Sequence, residues 1–181
     1  TNFGWLPGYL VMERGFSLIN SGATLILPYL SAGAGALLGG LLSDKLGRRT
    51  DVIMVCAFFT IPAIGGLLYF DHPVIIVATL SLLLFCNAAA TSIFVVLLFD
   101  LFPPQLIGLA LAMLSGLFGG IGGVTGPLIM GLSYDLSGSF AWGFIYMAAG
   151  MLISVGLMAT VLGHEKRTIA AKAKNIQLAS A

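Results

Sequence analysis

Charge is scarce in this sequence. Eight Lys and Arg and seven Asp and Glu stand in 181 residues, 8% in all. A soluble domain carries about 25%, so a wet surface could not be covered and a soluble globule does not fit. The net charge of +1 supplies no basic field for nucleic acid, and no nucleic-acid partner is expected. Cysteine is reduced to Cys56 and Cys86, both inside apolar runs. Two are too few for a disulfide framework, and a buried Cys behaves as a small hydrophobe. The two histidines, His72 and His164, fall on opposite membrane faces by helix count, and no Cys/His cluster has metal spacing. H-E-x-x-H, G-x-S-x-G and a phosphate-binding loop are all missing. No catalytic residue, metal or cofactor is therefore expected, and the chain does not read as an enzyme. A signal peptide pattern is also absent.

Hydrophobic residues make up 59% of the chain, and they come in long runs. Residues 15–43, 52–70, 72–99, 101–134 and 136–163 contain no Asp, Glu, Lys or Arg. A membrane-spanning helix needs about 20 apolar residues. Spans are predicted at about 19–43, 51–70, 75–99, 107–133 and 141–163. Ser17 and Thr50 are expected caps, and "DHP" (71–73), "FPPQ" (102–105) and "DLSGS" (135–139) are expected breaks. Pro28, Pro62 and Pro127 fall within spans, where neighbouring helices can re-satisfy the freed backbone groups. The apolar opening, residues 1–12, would reach only about 18 Å as a helix, against roughly 30 Å of hydrocarbon. It is expected to be a partial span, the truncated first helix of an all-α integral membrane unit over 1–163. Residues 164–181 then form a cytoplasmic tail.

With the loop at 44–50 inside, the cytoplasmic face holds Lys45, Arg48, Arg49, Lys166, Arg167, Lys172 and Lys174, and the outer face only Arg14. That asymmetry follows the positive-inside rule. Segments 35–47 and 126–138 both read G-x-L-x-x-G-L-x-x-D-x-x-G. They close the first and fourth full spans, which emerge on opposite faces. Two helix triplets related upside down, a 3+3 inverted repeat, are the expected architecture.

The knot "GGLLSDKLGRR" (39–49) turns through water between two spans. Asp44 and Arg48 are four apart, so one helical turn would bring them together. Gly40 and Gly47 remove side chains where helix ends approach. Gly40, Leu42, Ser43, Asp44, Lys45, Gly47, Arg48 and Arg49 together resemble a signature of the major facilitator superfamily. "DLFPPQLIG" (100–108) resembles a second family feature, with Ile107 where an arginine is usual. "WLPGYLVMERGFS" (5–17) and "GPLIMGLSYDLSGSF" (126–140) are similar to its anion:cation symporter branch. Members of that branch often place Asn in the eleventh helix, where Gly116 and Gly120 stand here.

The resemblance implies the carboxy-terminal six-helix half of a secondary transporter in the cytoplasmic membrane. It would move a small organic solute, an organic anion such as a sugar acid, by alternating access coupled to a cation. Its partners would be membrane lipid, the missing amino-terminal six-helix half, the solute and the coupling cation. The knot Gly40, Asp44, Lys45, Gly47, Arg48 and Arg49 would be a cytoplasmic gate; topology alone is its other reading. A six-helix channel or accessory subunit that self-associates is the alternative to a transporter.

No ionisable residue lies well inside a full span. Neutral groups are the candidates for lining a substrate path. Asn87 and Thr91 are four apart and share a helix face, though an interhelical bond is an equal use for Asn87. Trp5, Tyr9 and Tyr29 could pack on a ligand or anchor at the interface. Gly116 and Gly120 form a small-residue packing face, with Gly126 following and Pro127 as a bend. Glu13, Arg14 and His72 read as solvated loop residues.

Overall fold

A computed structural model describes residues 4–47, 49–157 and 159–160, with only the backbone at 101 and 118. Arg48 and the tail 164–181 lie outside the described residues. Among those described, the chain is helical without a strand. Helices α1 (Leu6–Met12), α2 (Leu18–Leu46), α3 (Arg49–Tyr69) and α4 (Pro73–Leu101) are followed by α5 (Pro104–Ala112). A π-helical turn, Met113–Phe118, joins α5 to α6 (Gly119–Ser137), and Ala141–Leu157 forms α7. Leu18–Leu46, Arg49–Tyr69, Pro73–Asp100 and Pro104–Ser137 are long and apolar enough to cross a membrane. The helices are apolar all round: Ile19 and Leu136 are as exposed as Leu25 and Met130 are buried. That pattern belongs to a helix solvated by lipid, and the chain is an integral membrane protein.

Local chemistry sets the helix ends. Ser17 Oγ accepts from the Asn20 N–H at 3.2 Å and caps α2, the preferred use of serine at that position. Thr50, the expected cap of the next helix, lies one residue inside α3, which begins at Arg49. Proline opens α4 at Pro73 and α5 at Pro104, where a missing N–H costs nothing. The two copies of the sequence repeat end alike. The Gly47 N–H donates to Ser43 O at 3.0 Å and the Gly138 N–H to Tyr134 O at 2.7 Å. Both glycines take a left-handed backbone, φ +61° and +69°, which only glycine adopts without cost. One copy closes α2 and the other α6, at opposite ends of the bundle.

Close packing falls on glycines other than those expected. A Cβ at Gly35 would stand 2.3 Å from the Phe85 carbonyl oxygen, and one at Gly39 2.6 Å from Ala89 Cβ. Gly35-x-x-x-Gly39 thus brings the α2 and α4 backbones together. Ser31 Oγ adds a bond across the same seam to Ser81 O at 2.8 Å. By contrast, Gly40, Gly116, Gly120 and Gly126 meet no atom within 4 Å of a Cβ. Their faces turn away from the rest of the described chain. The glycine-rich stretch is nonetheless helical, and its irregularity is the π turn, upstream of Pro127. Gly119 makes that turn possible: its Cβ would press to 3.2 Å on Leu114 O.

The core is unequal along the bundle. A large cluster near the end carrying turns 13–17, 70–72 and 138–140 joins α1, α2, α3, α4, α6 and α7, around Tyr9, Leu67, Leu80, Met130 and Phe144. Towards the other end, a small cluster of Val52, Cys56, Cys86, Ala89 and Ile93 joins α3 and α4 alone.

Candidate functional site

The charged knot occupies the sparsely packed end. Asp44 sits in the last turn of α2, Arg49 opens α3 and Asp100 lies in the last turn of α4. Arg49 Nη1 donates to Asp44 Oδ1 at 3.0 Å, and Arg49 Nε to Asp100 Oδ2 at 2.5 Å. One guanidinium therefore ties three helix ends. The expected Asp44–Arg48 pairing lies outside the described residues; the described partner of Asp44 is Arg49. Left-handed Gly47 ends α2 and reverses the chain, which carries residue 49 back beside Asp44. Lys45 is exposed in the last turn of α2, where a cation suits the helix dipole. Asp100 was missed as a partner. Its signal was the acidic residue opening "DLFPPQLIG", whose described cationic partner is Arg49, 51 positions away at the start of α3.

These three charges run against their helix dipoles. Carboxylates at the C-terminal ends of α2 and α4 and a cation at the N-terminal end of α3 are each unfavourable by a few tenths of a kcal/mol to about 1 kcal/mol. Their mutual contacts offset this. The Asp44 and Asp100 side chains are 67% and 50% exposed, so water competes and each pair contributes about 0–1 kcal/mol. Such a tie can form and release at small cost.

Beside the knot, the helices stand apart around a cavity of about 840 Å³ between α3, α4, the π turn and α7. Asn87 and Thr91 line it, with Ser115 and Ser154 opposite. The hydroxyls turn back on their own helices: Thr91 Oγ1 donates to Asn87 O at 2.8 Å, Ser115 Oγ to Leu111 O at 2.6 Å and Ser154 Oγ to Gly150 O at 2.9 Å. The remaining wall is mostly apolar, with Met54 and Phe94 among it.

The other lining candidates go elsewhere. Tyr29 is half exposed beside a shallow groove on α2 of about 450 Å³. Trp5 and Tyr9, expected as lining candidates or interfacial anchors, are buried at the opposite end of the bundle. The Trp5 ring packs edge-on against Phe144 at 5.5 Å, and Tyr9 against Phe140 at 5.8 Å and Phe144 at 5.2 Å. The Tyr9 hydroxyl donates to Leu67 O at 3.0 Å and accepts from Arg14 Nε at 2.8 Å. The hydroxyl is thus held on both sides within the core. The structure thus brings Asn87 and Thr91 together and separates them from Trp5, Tyr9 and Tyr29.

Arg14 and Glu13 are not solvated loop residues. The Arg14 side chain is 10% exposed. It donates to Tyr9 Oη, to Leu67 O at 2.5 Å and to Asp71. Burial opposes its charge, but the hydrogen bonds to Tyr9 and Asp71 outweigh it and raise its pKa above the ordinary value. Among the described residues no group of three or more His, Cys, Asp or Glu could hold a metal ion.

Comparison with known proteins agrees with this architecture. The family model described as Major Facilitator Superfamily matches residues 1–180. The D-galactonate transporter of Escherichia coli O6:H1 is 33% identical over 175 residues, 90% of this chain and 39% of that protein. A probable galactarate/D-glucarate transporter of Bacillus subtilis is 29% identical, covering 93% of this chain and 38% of its own length. A probable sulfoacetate transporter of Cupriavidus necator is 29% identical over 91% of this chain and 39% of its own length. The chain therefore spans about two fifths of the curated relatives it matches. These relatives are transporters, not enzymes. Long lipid-facing helices, a repeat with matched left-handed glycine ends and a family match over nearly every residue agree: this chain belongs to the major facilitator superfamily.

Proposed function

We propose that the chain is the carboxy-terminal six-helix half, residues 1–163 with a tail at 164–181, of a secondary active transporter for a small organic anion. The observation that carries this reading is the likeness to the D-galactonate transporter over 90% of the chain. The galactarate/glucarate and sulfoacetate transporters support the same class. Galactonate, glucarate and sulfoacetate share an anionic head of two or three oxygens on a small polar body. The anchoring cation for such a head, and the acid that couples uptake to a cation gradient, belong in this reading to the amino-terminal half. This chain offers neutral walls, Asn87 and Thr91 on the cavity and Tyr29 on the α2 face. The alternating-access device is the knot: Gly40, Asp44, Lys45, Gly47, Arg48 and Arg49 close the cytoplasmic side in one state and release it in the other. A tie made in one of two states shifts their balance by its own free energy. The unequal core supports movement at that end, because few buried contacts cross it.

The test is uptake by the full-length protein in proteoliposomes under an imposed proton or sodium gradient. D-galactonate, glucarate, galactarate and sulfoacetate serve as probes. Gradient-dependent accumulation of at least one is expected, and none from the purified fragment alone. Equal uptake with and without any gradient would replace the symporter with a uniporter or channel. No uptake of any probe would overturn the organic-anion class.

A further inference from the structure

The adjacent pair Glu13–Arg14 reaches two different helices, each at the end its charge suits. The Glu13 carboxylate accepts from Ser139 Oγ at 2.8 Å and from the Phe140 N–H at 3.1 Å, at the N-terminal end of α7. Arg14 donates to Leu67 O, in the last turn of α3, and holds Asp71 just beyond it. An anion at a helix N-terminus and a cation at a C-terminus both gain from the dipole. Two other N–H groups of this turn also find side-chain acceptors: Ala141 N–H donates to Ser139 Oγ at 3.2 Å and Gly143 N–H to Ser133 Oγ at 3.2 Å. Glu13 supplies the acceptor at Phe140. Two consecutive residues thus join the turn after α1 to the α3–α4 turn and to the α6–α7 turn. Between them lies the aromatic cluster of Trp5, Tyr9, Phe140 and Phe144, whose Tyr9 ring also carries the Arg14 guanidinium at 5.4 Å.

We propose that Glu13 and Arg14 act as one two-headed cap that fuses these three turns into a rigid end, and that the three turns stay joined to one another, moving as one body, throughout the transport cycle. The second clause rests on the transporter reading; the first does not. Arg14 is nearly buried, and pulling one partner away leaves a cation with unmade hydrogen bonds among apolar side chains, a far larger penalty than parting exposed charges. Because both heads hang from one short backbone stretch, freeing either one loosens the other. Movement within this half is left to the knot end, where the cavity lies.

Hydrogen exchange on the full-length protein in detergent tests the fusion. In Glu13→Gln, which keeps an acceptor oxygen and the side-chain size, exchange should rise about tenfold at the start of α7 and also at the α3–α4 turn. Arg14→Gln should show the same double effect. A change confined to the partner helix of the substituted residue would mean two independent caps and overturn the proposal. Constancy through the cycle is tested with Glu13→Cys/Ser139→Cys, the other cysteines replaced by alanine, using D-galactonate uptake. Uptake should be slower in the reduced protein and restored by oxidation. Oxidation that stops uptake would show that these turns must part during the cycle. Uptake that oxidation leaves unchanged, once the disulfide is confirmed by mass, would equally overturn the proposal. A parent protein that transports no D-galactonate would count against the substrate reading, while exchange would still decide the cap.

Discussion

The two ends of this bundle each rest on an arginine, used in opposite ways. At one end Arg14 is 10% exposed and bonded to a buried phenol and a backbone carbonyl, as well as to the exposed carboxylate of Asp71. With Glu13 it sits where helix dipoles favour its charge, over a core to which six helices contribute. At the other end Arg49 is 23% exposed and bonded to two carboxylates open to water. All three charges there oppose the dipoles of their helices, over a small cluster and beside a cavity. The same residue type makes a lasting joint in one setting and a releasable one in the other. Burial and dipole sense decide which, because they set the cost of parting the charges.

The contrast can be broken, beginning with the largest expected effect. Arg14→Ala in the full-length protein should lower stability by about 3 kcal/mol, since it removes a nearly buried side chain from Tyr9, Leu67 and Asp71 at once. Thermal unfolding in detergent measures it, and a change near zero would make Arg14 no different from a surface residue. Gly35→Ala acts on the α2–α4 seam that connects both ends. Forcing a Cβ onto the Phe85 carbonyl should cost about 2 kcal/mol by the same measurement. Tyr9→Phe keeps the packed ring and removes the hydroxyl, for about 1.5 kcal/mol. A loss as large as that of Arg14→Ala would shift the weight of the joint to the phenol. Asp100→Asn should leave unfolding within about 1 kcal/mol of the parent yet slow uptake, as should Asp44→Asn. A large loss of stability with unchanged uptake would reverse the roles assigned to the two ends.

Acidity sharpens the comparison with the smallest effect. Against the opposing effect of burial, the bonds of Arg14 to Tyr9 and Asp71 raise its pKa above the ordinary arginine value. A raised basic group contributes stability that is fully present below its unfolded pKa and lost only as pH rises through the folded one. Arg14 itself should therefore add no pH dependence between about pH 5 and 9, well below either value. Unfolding of wild type and Arg14→Ala compared across that interval should differ by a constant amount.

Residue chemistry by itself determined the helices and their breaks. Lipid requires long apolar stretches with every backbone group satisfied internally, and Ser17, Pro73, Pro104, Gly47 and Gly138 mark the ends by their own conformational rules. It also determined that charge would gather at the turns. Tertiary structure decided which charges meet: Arg49 with Asp100, 51 positions away, and Glu13 with Ser139, 126 positions away. It alone sent Trp5 and Tyr9 into the core and placed the tight seam on Gly35 and Gly39 instead of Gly116 and Gly120. The physical reason is that a helix apolar on every side carries no periodic signal for which face turns inward. Rotation and neighbour order are settled by packing between segments remote in the chain, and those contacts exist only once the bundle has assembled.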